Sequence, residues 1–143
     1  MASQDRSASL PLPLATPAGP AESAPVLDPK IMLASVEQDL SLLRELAELF
    51  FAECPGLLSQ IRNGVRESNP EAVERNAHTL KGALSNFGAL AACNAARELE
   101  IRGREARFDG APELLSSLER EVTRACNALS MFLQEASREG SAR

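Results

Sequence analysis

From about residue 39 to residue 136 the apolar side chains return at steps of three and four, and no segment alternates apolar with polar at a period of two. That periodicity selects amphipathic helices over strands. Leu43, Leu46, Phe50, Cys54, Leu57, Ile61 and Val65 make one stripe, predicting a long helix over about Asp39 to Glu67 that bends or breaks near Pro55. Val73, Ala77, Leu80, Leu84 and Phe87 make a second, in a helix that Asn69 caps, Pro70 opens and Gly88 ends. A third helix, from about Ala89 to Arg107, turns Ala92, Ala95, Ala96, Leu99, Gly103 and Ala106 inward, small residues that allow a close neighbour. After a break at Asp109 and Gly110, Pro112 opens the last helix, with Leu115, Leu118, Val122, Ala125, Leu129, Phe132 and Ala136 on one face. Asp28 followed by Pro29 starts a short leading helix to about Val36.

Four helices with one apolar stripe each can bury those stripes together only as a bundle. The expected fold is therefore all-α, an antiparallel four-helix bundle with a short additional N-terminal helix, over residues 27–138. Residues 1–26 are rich in Ala, Ser and Pro, with Pro11, Pro13, Pro17, Pro20 and Pro25 denying regular structure, so they are expected to be a disordered tail or linker. Residues 139–143 are expected to form a C-terminal tail.

The composition removes several classes of function. Aromatic residues are only 3% of the chain, all of them Phe, and the net charge is -5, so nucleic acid is not an expected partner. No run approaches the 18 or so apolar residues of a membrane span. At the N-terminus Asp5 and Arg6 cancel, and Pro11 and Pro13 interrupt Leu10, Leu12 and Leu14, which does not make a secretory signal. Cys54, Cys93 and Cys126 are odd in number and widely spaced, and read as reduced thiols packed as small hydrophobes in a cytoplasmic protein.

His78 is the single histidine. On a wheel of about 100° per residue it lies about 160° from Leu80, opposite the apolar stripe and towards solvent. Glu71, Glu74, Arg75, Lys81, Gly82 and Ser85 share that half of the helix. Gly82 is the oddity there, because a helical glycine costs roughly 1 kcal/mol relative to alanine and core packing does not call for one on an outward face. Its bare surface leaves room for another protein to close over the imidazole. Lys81, one turn on, can place an ammonium beside a group carried on the ring. A neutral imidazole is nucleophilic near pH 7 without an activating base, so a solvated histidine suffices to accept a phosphoryl group. A metal site lacks further ligands around His78, a Cys-His hydrolase lacks a thiol on that face, and no GxxxxGK[ST] or GxGxxG loop is present to bind ATP.

Ala77-His78-Thr79-Leu80-Lys81-Gly82, Asn86-Phe87-Gly88-Ala89 and, further on, Leu99-Glu100 resemble the signature of the histidine-containing phosphotransfer (HPt) family. Leu46 to Leu58 with Pro55, and the Asn69-Pro70 start, are similar to that family's preceding helices. The resemblance covers about 110 residues, from near Leu27 to near Ala136. It implies a phosphocarrier that moves a phosphoryl group to or from the aspartate of a response-regulator receiver domain, in pathways fed by a sensor or hybrid histidine kinase. His78 would be the phosphoacceptor and Lys81 would steady the phosphoryl group. Glu74, Arg75, Gly82, Ser85 and Gly88 would form the docking surface, Gly88 also closing the helix. The catalytic acidic groups and Mg²⁺ would sit on the receiver, so the chain is expected to have no cofactor of its own, no enzymatic activity and a monomeric state. Leu84 and Ala92 depart from the family pattern, which often has Ser or Ala at the first and Leu at the second, and both should affect packing only. Two other readings compete: a helical interaction module with an inert His78, and the first domain of a chemotaxis-type kinase. The presence of both histidine and lysine counts against the first, and the end of the chain at Arg143 without an ATP-binding domain against the second.

Overall fold

The computed structural model describes residues 26–141, so the Ala/Ser/Pro-rich segment, apart from Val26, lies outside the described residues, as do 142 and 143. Five helices follow one another: α1 (Pro29–Ser35), α2 (Leu40–Arg66), α3 (Pro70–Asn86), α4 (Leu90–Glu105) and α5 (Ala111–Ser141). Capping residues set the starts of α1, α2 and α3. Asp28, Asp39 and Asn69 each accept a backbone N–H of the first turn, from Lys30 at 3.0 Å, Leu42 at 3.2 Å and Ala72 at 3.2 Å. Pro29 and Pro70 then occupy positions where a missing N–H removes nothing.

Helices α2 to α5 form a closed ring in which each packs on the next in the chain and α5 returns to α2, while α1 lies over α2 and α3. Short connections at 67–69, 87–89 and 106–110 make consecutive helices antiparallel. Leu43, Ile61, Leu80, Leu84, Leu99, Leu118 and Leu129 are completely or almost completely withdrawn from solvent in the middle of the ring, with Met32 of α1 sealing one end. Each such side chain contributes about 1.5–3 kcal/mol of transfer free energy. Phe50 and Phe87 pack with tilted rings, 52° between their planes and centroids 5.3 Å apart, where α2 meets the end of α3.

Three sequence expectations change. Helix α2 runs unbroken through Pro55, because Phe50 and Cys54 before it and Ile61 after it are buried in one core, and their burial holds the helix together across the lost hydrogen bond. Ala106 is exposed rather than inward, and it ends α4 in a left-handed conformation with φ 56°. Helix α5 continues to Ser141, past the expected boundary at 138.

Candidate functional site

His78 projects from the outer face of α3, its side chain 67% exposed, and leans towards α4. Its Nδ1 lies 2.7 Å from Oε2 of Glu100, a carboxylate only 5% exposed. The other oxygen of that carboxylate, Oε1, is 2.7 Å from Nζ of Lys81. Arg104, one turn beyond Glu100 on α4, brings Nη2 to 3.2 Å from Oε2 and Nε to 3.3 Å from Oε2 of Glu74, which ties α4 back to α3. A buried carboxylate is tolerated only when it is paired and hydrogen-bonded, and this one has three partners. Burial pushes the Glu100 carboxyl up, but hydrogen bonds from Lys81 and His78 and their nearby charges outweigh it and hold the group below the usual carboxylate range.

The chemical consequence lies in the ring. A carboxylate only accepts, so Nδ1 must carry the hydrogen and donate it. Nε2 of a neutral imidazole then keeps its lone pair, and the ring borders an open cleft of about 590 Å³ lined by Glu71, Glu74, Arg75, His78, Thr79, Glu100 and Arg104. One turn along, a Cβ built on Gly82 would meet nothing within 4 Å. Ser85 folds its hydroxyl back onto the Gly82 carbonyl at 2.8 Å, which keeps that surface low. Among the described residues no group of three or more His, Cys, Asp and Glu side chains is placed to hold a metal ion, and no helix is long and apolar enough to cross a membrane.

A family model of the Hpt domain matches residues 45–128, more than half of the chain. The chain belongs to the Hpt domain family. Among solved structures this Hpt domain is similar to histidine-containing phosphotransfer protein B (HptB) from Pseudomonas aeruginosa PAO1, with 26% identity and a TM-score of 0.72, over 79% of this chain and 98% of that one. It also shares its fold with the HPT domain of an Hpt sensor hybrid histidine kinase from Shewanella, at 20% identity and a TM-score of 0.65, over 77% and 95% of the two chains. No curated protein matches it.

Of the residues singled out in the sequence, His78, Lys81, Glu74, Arg75, Gly82 and Ser85 come together on the outer face of α3 and the seam beside it. Gly88 does not join them. It is buried in the α3–α4 turn at φ 67°, and a Cβ there would lie 2.7 Å from Cβ of Asp28, so it serves the turn and the seating of α1 rather than a docking surface. Glu74 is held by Arg104 rather than standing free. Glu100 and Arg104 stand in the same cluster although sequence reasoning gave them no role. The signal for Glu100 was present: it lies four residues from Ala96, among the inward Leu99 and Gly103, where a charge needs a partner.

Proposed function

We propose that this Hpt protein carries a phosphoryl group on Nε2 of His78 and exchanges it with the aspartate of a response-regulator receiver domain in a two-component phosphorelay. The single observation that carries the residue assignment is the 2.7 Å contact of Nδ1 with Glu100, which leaves Nε2 as the outward nucleophile. In the forward step the Nε2 lone pair attacks the phosphorus of a receiver aspartyl phosphate, the N–P bond forms, and the P–O bond to the aspartate breaks to release its carboxylate. The ring then holds hydrogen on Nδ1 and phosphorus on Nε2 and is formally cationic. Glu100 sits against that charge and offsets it, as a positioning residue acting through the ring. Lys81 supplies an ammonium on the same face, three residues from His78, against the phosphoryl oxygens. The reverse step uses the same contacts.

The acidic groups and Mg²⁺ of the reaction belong in this reading to the receiver, so the chain acts as a carrier with neither an ATP site nor a cofactor of its own. Its partners are receiver domains and, upstream, a sensor or hybrid histidine kinase, in the cytoplasm, with the carrier a monomer. Gly82 gives the receiver its approach. The test is transfer from a phosphorylated receiver domain. Acid-labile phosphate on the wild type and none on His78→Gln supports the reading, and label retained on His78→Gln overturns it.

A further inference from the structure

On the far side of the ring from the α3–α4 seam, Cys54 of α2 and Cys126 of α5 face a common opening where the two helices pack. A cleft of about 440 Å³ opens on the pair between Phe51, Pro55, Leu58 and Asn127. The two sulfurs are not equivalent. Cys54 is 4% exposed, whereas Cys126 is partly exposed. Cys93, by contrast, donates to the Lys81 carbonyl at 3.7 Å on the opposite seam.

We propose that Cys126 and Cys54 form a peroxide-reactive dithiol, in which Cys126 meets a hydroperoxide in the cleft and Cys54 resolves the product into a disulfide joining α2 to α5. The Cys126 sulfur attacks one peroxide oxygen, the S–O bond forms, the O–O bond breaks, and the departing hydroxide takes the thiol proton as water. Cys54 then attacks the sulfur of the Cys126 sulfenic acid. The S–S bond forms, the S–O bond breaks, and the second hydroxide leaves as water with the Cys54 proton. Two thiols are oxidised to one disulfide and one peroxide is reduced to two waters.

Three features fit that order. The reagent comes from the cleft, so the more open sulfur meets it first and the buried one is kept for resolution. The Cys54 thiol beside it holds the Cys126 thiol below its ordinary range against the effect of burial. The same partner and its own burial push the Cys54 thiol up, keeping it protonated until it is needed. Pro55 directly follows Cys54, so the Phe51 carbonyl has no N–H four residues on to accept from.

The test treats the full chain with a small excess of hydrogen peroxide, blocks remaining thiols with iodoacetamide, and maps peptides by mass spectrometry without reduction. We expect a Cys54–Cys126 linked peptide within one chain, alkylation at Cys93 only, and reversal by dithiothreitol. We further expect that Cys54→Ser stops at a Cys126 sulfenic acid that dimedone captures. Three alkylated thiols on folded, peroxide-treated wild type would overturn the proposal, as would a link that includes Cys93. Dimedone captured at Cys54 in Cys126→Ser, with none at Cys126 in Cys54→Ser, would overturn the assigned order. The wild-type map decides the linkage even where a variant fails to fold.

Discussion

Gly82 and Gly103 are both helical glycines near the α3–α4 seam, and they are there for opposite reasons. At Gly82 an added Cβ would meet nothing within 4 Å. At Gly103 it would lie 2.6 Å from the Glu74 backbone nitrogen and 2.9 Å from the Pro70 carbonyl oxygen, atoms of the α3 backbone that cannot turn aside. One glycine leaves an open surface, which in the proposed transfer admits the receiver. The other lets two helices touch, and so fixes how far Glu100 and Arg104 stand from His78. Substitutions on the open face should therefore change transfer without changing stability, and those in the seam should do the reverse.

His78→Gln gives the largest expected effect: loss of all receiver-dependent phosphorylation, with unfolding free energy in urea lowered by no more than about 1 kcal/mol, since Lys81 and Arg104 still hold Glu100. A marked drop in stability would break the distinction, by showing that the open face is part of what holds the bundle. Gly103→Ala comes next, because the seam must part to admit the methyl group; overpacking of this kind costs about 3 kcal/mol, read as a lower urea midpoint. If its midpoint matches wild type, the close approach has no energetic meaning. Glu100→Gln tests the residue that lies between the two regions. It keeps the shape but loses a charge-assisted hydrogen bond of about 1.5 kcal/mol, so transfer should slow roughly tenfold.

Acid sharpens the same point. The Glu100 carboxyl is held below its ordinary value in the folded chain, so its stabilisation is complete above the unfolded pKa of about 4.3 and is lost as pH falls through the lower folded value. The stability gap between wild type and Glu100→Gln should accordingly be widest near neutrality and close in strong acid. Gly82→Ala is the smallest change: about 1 kcal/mol of added stability from helix propensity, and slower transfer only as the side chain grows, measured along Gly82→Ala, Gly82→Leu and Gly82→Arg.

Much of this was legible because helix periodicity and capping are local. Asp28 and Asn69 cap where their positions indicate, and the stripe of α3 and that of α5 from Leu115 to Leu129 are buried as their spacing requires, while Phe132 and Ala136 are half-buried. His78, Lys81 and Gly82 could be placed on one face from angular position alone. What escaped depended on neighbours far along the chain. The inward position of Glu100 could be read from its spacing, but its partners His78 and Lys81 appear only once α3 is laid beside α4. Gly88 sits near the site in sequence, yet Asp28 of another segment covers it. Pro55 suggested a break because propensity weighs the helix alone, whereas the core buried on either side of it decides.

The short turn between α3 and α4 carries a kinetic consequence. These two helices share the most extensive packing in the molecule, and residues 87–89 alone connect them, so their hairpin closes with little loss of chain entropy. His78, Lys81, Glu100 and Arg104 all lie within it. Such a hairpin is suited to assembling early, before the long final helix docks, which places the chemistry of this chain on the part of it that reaches native form with the least searching.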